Sequence, residues 1–568
     1  MLCLLLVATA FAVDQQILFV GNSYTAANGL HDLVQLQLEA GELWSPIQAE
    51  AVTRGGHTLS RHLADAENPA HPLYTYLQGG AYSWHTVVLQ DQSQIPGFPE
   101  YVPDRAASNG AVGELDALID ANGASTMLFL TWGRRDGDAF NPGLFPDYST
   151  MQDLLTQGYR DYHAIIDAPD RRAFIAPAGE AFRIVHEDVL AGGGDPSDPS
   201  SEFHRLYSAD GSHPSAYGSF LVSAVFHAAL TGRTPVGLGV LEADVDDEAF
   251  RAYLEGVAAR AVVDAPFDFP YPWAWELSEV QDGQVSDPGR YDLVRVAESH
   301  PDLPELTVGA DHAGEPGAAR LWVTTDGALH VDALTLGAEG GSGEVLVDAG
   351  RLSADQLIVG TGRGDLVVTG GELRVGEASL AGEGSLMMES GYVAVDAGRL
   401  GSVTQSGGTL TGAFTVEGDL EQLEGTLSFG DRNWVDVRGV ASLMGTVDVT
   451  AVTAYDMVVL TADSLLADTV RVAMRVDQEV AVDSVAGTIS VFLAKPDTTG
   501  TTKPTDTGMG GAGTGSGGTG AGGTSTGSTT DADTGAAAAG KGGTGGCGCA
   551  TGRSPGWLSS IAWIVTRR

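Results

Sequence analysis

Cysteine is nearly absent: the 568 residues hold three, at positions 3, 547 and 549. That scarcity excludes a disulfide-framework protein and a zinc site built from cysteines. Basic residues are few as well. Lys and Arg number 30 against 74 Asp and Glu, for a net charge of −44. So acidic a chain offers phosphate no basic face, which excludes a nucleic-acid binder and argues against docking on an anionic membrane. No apolar run reaches the roughly 18–20 residues of a transmembrane helix, and there is no phosphate-binding loop. What the chain does have is apolar residues at 43 %, enough for a real core. It also has 77 glycines, about twice the usual share of roughly 7 %. The length suits three or four domains of about 150 residues each.

Residues 1–12 are a short apolar run closing on Ala10-Phe11-Ala12, an export-signal pattern with a small-residue cleavage site. The alternative is a buried first strand. Residues 13–263 alternate short apolar runs with amphipathic stretches. Ile17–Val20, Thr86–Leu89, Met127–Leu130 and Ala173–Ala176 read as buried strands, with helical patterns near 29–41, 108–122, 149–167 and 214–231. This alternation predicts a parallel sheet covered by helices on both faces.

Residues 264–299 are rich in Pro, Trp and acidic side chains and read as a connector. From 300 the texture changes. Short strand-like pieces begin at Gly327, Gly350, Gly371, Gly391, Gly408 and Gly425, spaced 23, 21, 20, 17 and 17 residues apart. A second echo runs through Leu306–Gly309, Leu334–Gly337, Leu357–Gly360 and Leu373–Gly376. Repeats near 20 residues with alternating apolar positions predict a right-handed parallel β-solenoid, since a single coil cannot bury its own face. A pair of β-sandwiches is the alternative. The solenoid domain is expected to span 300–496, its last strands forming a cap. Residues 497–545 are Gly, Thr, Ser and Ala with few large apolar side chains, the composition of a disordered linker. The chain then runs through Cys547 and Cys549 to a weak apolar stretch, Trp557–Val565, and Arg567-Arg568. That order, over 546–568, resembles the surface-sorting tails of myxobacterial-type exported proteins, and it implies attachment to the cell envelope.

Two motifs carry chemistry. In Ile17-Leu18-Phe19-Val20-Gly21-Asn22-Ser23 an apolar strand runs straight into a serine, and a helix follows. A serine there sits at the carboxyl end of a strand, where ligands bind in parallel sheets. The helix N-terminus supplies N–H groups for an oxyanion; the other reading is a serine that only caps the helix. The second motif is Asp210-Gly211-Ser212-His213-Pro214. Asp and His three apart in one loop can set the carboxylate on Nδ1–H and leave Nε2 free to take a proton from a serine. His204 and His227 are alternative bases, His227 being the better fit to a structural role inside a helix.

Together these blocks resemble the SGNH (GDSL-like) serine hydrolases over about residues 16–235. The resemblance implies a three-layer α/β/α sandwich and esterase chemistry needing no cofactor. Ser23 would be the nucleophile, His213 the base and then the acid, and Asp210 the orienting carboxylate. It also implies oxyanion donors from two middle blocks, beside Ser23 itself. The glycine block matches Arg54-Gly55-Gly56-His57-Thr58, with Gly56 as donor. The family's Gly-x-Asn-Asp block is replaced by Gln90-Asp91-Gln92-Ser93-Gln94, so Gln94, or Gln92, would stand in for the asparagine. Asn22, His57, Trp132 and Arg134 are candidate substrate contacts: Trp132 can stack on a sugar ring, and Arg134 with Arg135 can bind hydroxyls or a carboxylate. A turn at Gly360–Asp365 resembles a calcium-binding turn but occurs once, so no metal is expected. The expected function is an exported or surface-displayed serine esterase that cleaves short acyl esters, of the O-acetyl type, on carbohydrate. A lipid esterase, or a surface adhesin with an inactive hydrolase-like domain, are the alternatives.

Overall fold

The computed structural model describes residues 13–41, 44–168, 171–240, 244–280, 284–285, 291–312, 315–316, 318–454, 457–467 and 469–493. The expected export signal (1–12), linker (497–545) and sorting tail (546–568) lie outside the described residues.

The first half is built on five parallel strands, β1 (Val13–Gly21), β2 (Trp44–Thr53), β3 (Thr86–Leu89), β4 (Ser125–Phe129) and β5 (Phe174–Ala176), in the order β2-β1-β3-β4-β5. The strands are apolar at consecutive positions because both sheet faces are covered. Among the described residues the helices are, in chain order, α1 (Ser23–Ala26), α2 (Leu30–Ala40), α3 (Leu59–Ala66), α4 (Pro72–Gln78), α5 (Pro103–Asn122), α6 (Tyr148–Ile166), α7 (Ala178–Ala191), α8 (Glu202–Arg205), α9 (Ala216–Thr231) and α10 (Glu248–Val262). Helices α2, α9 and α10 pack together as one layer, and α3, α4, α5 and α6 as the other. The chain leaves β1 in one direction to form β2 and returns past it to form β3. That reversal changes the face on which the crossover helices run and opens a crevice between the carboxyl ends of β1 and β3.

Helix α9 has almost no polar face, and every residue from Gly218 to Thr231 is buried, as expected of a helix enclosed on all sides. Its Phe226 meets Phe19 and Phe129 edge-on, with ring centroids 5.3 and 5.1 Å apart. The helix therefore locks β1 and β4 from one side, and its N-terminal flank carries His213.

The second half is a parallel β-solenoid. Leu329, Leu352, Leu373, Val393, Leu410 and Leu427 stand in one register column, which is the column of the 23, 21, 20, 17 and 17 spacing. The second echo holds for three of its four copies. Leu306, Leu334 and Leu357 are in register, but the next partner is Ala378, not Leu373. Leu373 belongs to the first column; its similarity to the second comes from Gly376, which marks a corner. At these corners two outward residues follow each other, as at Asp355-Gln356 in the strand Arg351–Val359, and the strand bends there. Turn glycines make close approach possible. Gly371 has φ +72°, and a Cβ on it would lie 2.0 Å from the Gly350 carbonyl of the coil before.

The expected connector contains the start of the solenoid. Within 264–299, Ala274–Glu276 pairs in parallel with Leu293–Arg295, and Gln284–Val285 with Thr307–Val308. The aromatic residues that suggested a linker are packing groups. Trp273 is buried and donates through Nε1 to the Ala229 carbonyl at 3.0 Å. Arg295 stacks its guanidinium 3.9 Å from the Phe267 ring, and Arg172 stands 3.9 Å from Trp275. At the far end the parallel coils continue to Arg471–Ala473, and the antiparallel pair Gln478–Asp483 and Thr488–Leu493 closes the stack.

Candidate active site

Strand β1 ends at Gly21, where only glycine fits. A Cβ there would lie 2.3 Å from Thr25 Oγ1 and 2.7 Å from Gln90 Oε1. Asn22 is buried and ties together the segments after three strands. Its Oδ1 caps α1 by accepting from the Tyr24 N–H at 3.2 Å, while its Nδ2 donates to the carbonyls of His57 and Asp91, each at 3.1 Å. Its own N–H donates to Gln90 Oε1 at 2.9 Å. Ser23 is thereby fixed as the first residue of α1, at the crevice between β1 and β3.

His213 comes from the loop ahead of α9. Its Nε2 lies 2.8 Å from Ser23 Oγ, and its Nδ1 lies 2.6 Å from Asp210 Oδ2. Asp210 Oδ1 accepts from the N–H groups of Ser212 and His213, at 2.9 and 3.0 Å. Partial burial works against the Asp210 charge, but the His213 ring and these two N–H groups outweigh it and hold the carboxyl below the usual carboxylate range. The loop is braced from below. Tyr24 Oη and Ser212 Oγ are 2.8 Å apart, and Trp132 Nε1 donates to the Ser212 carbonyl at 3.1 Å. An ionised carboxylate, an imidazole and a serine hydroxyl in one hydrogen-bonded line can lift the hydroxyl proton as the oxygen attacks.

Gly56 lies in the turn after β2, with φ +64°, and no atom beyond its own chain neighbours stands within 4 Å of where its Cβ would be. The register Gly21–Thr53 sets this turn beside the nucleophile. Gln92 and Gln94 sit after β3, linked to each other: Gln92 Nε2 donates to Gln94 Oε1 at 3.0 Å, and Gln94 Nε2 donates to Asp138 Oδ2. Asp138 is buried and also holds Arg134, whose Nη1 lies 2.6 Å from its Oδ1. One N–H of the Gln94 amide is thus committed to Asp138, and an amide nitrogen carries a second.

Three expected substrate contacts have other positions. Trp132 is fully buried, stacked between Tyr24 and Phe182 at 5.0 and 4.4 Å, so it supports the site and presents no face to a sugar. His57 is buried, with Nε2 2.8 Å from Asp65 Oδ2. Asn22 spends its side chain on the loops it joins. Among the alternative bases, His227 is buried inside α9, and burial pushes it down to about 4.

Sequence reasoning missed the supports. Gln90 is buried, and its Oε1 accepts from the Asn22 N–H and from Thr25 Oγ1, both at 2.9 Å. Asp91 is buried too, and accepts from the N–H groups of Leu59 at 3.0 Å and Gln92 at 2.7 Å and from Tyr162 Oη at 2.7 Å. Burial raises its carboxyl above the usual range against those donors. The signal was available: two polar residues directly after a buried strand must find partners inside.

No protein-family model matches the chain, and no curated protein matches it significantly. Among solved structures, similarity is found to a candidate SGNH hydrolase from Slackia heliotrinireducens at 26 % identity and TM-score 0.29, over 38 % of this chain and 97 % of that one. A DUF4886 family protein from Bacteroides uniformis is similar at 15 % identity and TM-score 0.33, over 44 % and 94 %. A mutant of an acetyl-xylooligosaccharide esterase from Geobacillus is similar at 15 % identity and TM-score 0.27, over 38 % and 94 %.

Proposed function

We propose that this chain is an exported serine esterase that hydrolyses short acyl esters, of the O-acetyl type, on carbohydrate. The observation that carries the reading is the hydrogen-bonded line from Asp210 through His213 to Ser23, at 2.6 and 2.8 Å. In this reading Ser23 Oγ attacks the ester carbonyl as its proton passes to His213 Nε2. The developing oxyanion takes hydrogen bonds from the Ser23 and Gly56 N–H groups and from the free amide hydrogen of Gln94 or Gln92. His213 returns the proton to the leaving alcohol, and the acyl group stays on Ser23. Water then attacks the acyl carbonyl as its proton passes to His213, which hands that proton to Ser23 Oγ as the acid leaves. Asp210 keeps the imidazole in the tautomer this requires.

Carbohydrate as the alcohol partner is favoured by the solenoid. A cavity of about 590 Å³ on it is lined by Asp326, Arg351, Glu372, Arg374 and Tyr392, polar groups with one aromatic ring that suit a hydroxyl-rich chain. The Ala10-Phe11-Ala12 run supports export.

The test is fluorophosphonate labelling of the full chain with mass spectrometry, beside acetate release from acetylated polysaccharide and turnover of p-nitrophenyl acetate. The expected result is an adduct on Ser23, with label and turnover both lost in Ser23→Ala. A folded chain that takes no label and turns over neither substrate overturns the esterase reading. Turnover confined to long-chain esters replaces carbohydrate by lipid as the substrate.

A further inference from the structure

We propose that His57, His62 and Asp65 form a binding site for one divalent transition-metal ion of the zinc class, separate from Ser23 and His213, that clamps the turn after β2 to the end of β1. A ring nitrogen of each histidine and a carboxylate oxygen of Asp65 all lie within 4.8 Å of one another. The pocket is enclosed: His62 is fully buried, and the side chains of His57 and Asp65 are 6 % and 21 % exposed. His62 and Asp65 are three apart on α3, so both project from one face of the helix.

The tautomer of His62 makes the argument. Its Nε2 lies 2.9 Å from the Gly21 carbonyl oxygen. A carbonyl only accepts, so Nε2 carries the hydrogen. In the neutral ring Nδ1 then holds a bare lone pair. That Nδ1 is buried and has no hydrogen-bond partner among the described residues. A buried acceptor left unpaired is costly, and the His62 ring packs edge-on to His57, with centroids 4.5 Å apart. A histidine with one nitrogen bare and the other donating to a backbone carbonyl is arranged as a metal ligand.

His71 fits as a support and not as a ligand. Its Nδ1 accepts from the Leu73 N–H at 3.2 Å, which places its hydrogen on Nε2, 3.6 Å from Asp65 Oδ2. Two imidazoles and one carboxylate, with a fourth position for water, match zinc and its neighbours; calcium takes six to eight oxygens. The other His/Asp group, His330, Asp332 and Asp355, lies on the solvated face of the solenoid, where His330 already bonds Ser353 Oγ at 2.9 Å, and it has no buried lone pair to satisfy.

The clamp would act on both sides of the crevice, since His57 follows Gly56 and His62 holds the Gly21 carbonyl two residues before Ser23. That effect on turnover rests on the esterase reading; the binding does not. The experiment is titration of the chelator-treated full chain with Co²⁺ and Zn²⁺, read by visible d–d absorption, by metal content after desalting, and by thermal midpoint. The expected result is one equivalent per chain, Co²⁺ bands of low coordination number, and a midpoint that rises with metal concentration. Asp65→Asn and His57→Gln should each weaken binding by about tenfold or more. Ser23→Ala should bind as the parent chain does, which separates this site from the esterase chemistry. Absence of bands and of any midpoint shift in the parent chain under excess metal overturns the proposal, as does binding unchanged in the Asp65→Asn, His57→Gln double variant. Were that double variant not to fold, the Asp65→Asn single variant decides: weakened Co²⁺ binding supports the site, and binding as tight as the parent chain's overturns it.

Discussion

The two halves of the described chain bury different things. In the solenoid the core is Leu, Val and Ala in repeating columns, and among the described residues its only buried polar side chains are Gln405, Gln422 and Gln478. Gln422 Nε2 lies 3.2 Å from Gln405 Oε1, and the amide of each of the three reaches backbone carbonyls. In the α/β half the largest buried side chains are Trp84, Trp132, Trp273, Arg105 and a run of Tyr and Phe, and the buried polar residues include Asn22, His62, Gln90, Asp91 and Asp138. Each has its own partner, His62 through Nε2 alone. A repeated coil satisfies its interior with one solution used many times. A site needs several polar groups held in a single geometry, which only a non-repeating interior supplies.

The sharpest way to break that comparison is inside the triad. Asp210→Asn leaves the loop contacts to Ser212 and His213 in reach but removes the acceptor that sets the imidazole tautomer. Turnover should fall by about 10³–10⁴-fold, with the thermal midpoint little changed. A midpoint that falls with turnover would mean that the aspartate holds the loop and does not serve the chemistry.

Core truncation comes next. Phe226→Ala removes a ring that touches Phe19 and Phe129, and should cost about 3–5 kcal/mol. Because β1 leads into Ser23, ester turnover should fall as well. Leu357→Ala, in the solenoid column with Leu334 and Ala378, should cost about 2–5 kcal/mol. Its coil touches only its neighbours, so turnover of a small ester should be unchanged. Equal loss of turnover in both variants would show the halves to be one cooperative unit.

How much of this was legible from the residues follows from the same contrast. The coil column through Leu329 and Leu352 was readable because the repeat rewrites one environment with near-constant spacing. The triad was readable because Ser23 follows an uninterrupted apolar strand and Asp210-x-x-His213 precedes an apolar helix. What escaped depended on contacts distant in sequence. The Gln94 amide is tied to Asp138, 44 residues away. Trp132 reads the same whether it faces a sugar or, as here, Phe182, 50 residues on. The aromatic stretch near Trp273 resembled a linker because its partners, Ala229 and Arg172, lie in the domain before it. The fourth copy of the second echo failed because a corner glycine mimics a turn glycine.

A smaller effect tests the cost of a buried charge. Tyr162→Phe removes the hydroxyl that donates to Asp91 at 2.7 Å. Asp91 has a folded pKa raised by burial, so its ionisation lowers stability as pH rises from the unfolded carboxylate value through the folded one. The Tyr162 donor offsets part of that loss by favouring the charged form. Its removal should therefore cost little in acid, where Asp91 is protonated, and about 1.5–3 kcal/mol once the pH has risen through the folded value. Denaturant unfolding of both chains across pH checks it; a difference constant with pH would show that the hydroxyl acts by packing alone.

The smallest expected effect lies at the junction of the halves. Arg295 Nε donates to Glu276 Oε1 at 2.9 Å while its guanidinium lies over Phe267, and Phe267 in turn meets Trp322 of the solenoid at 6.0 Å. Arg295→Ala removes a partly desolvated cation–π contact and the stem that covers the ring, a loss of about 0.5–2 kcal/mol. Neither the triad nor a complete solenoid coil depends on it. If the halves are held together mainly by such contacts, calorimetry should show one unfolding transition beginning to separate into two, with ester turnover at room temperature unchanged. A single transition shifted as a whole would instead place the coupling in the buried Trp273, whose indole reaches into α9, and the same measurement on Trp273→Phe would then show the larger shift.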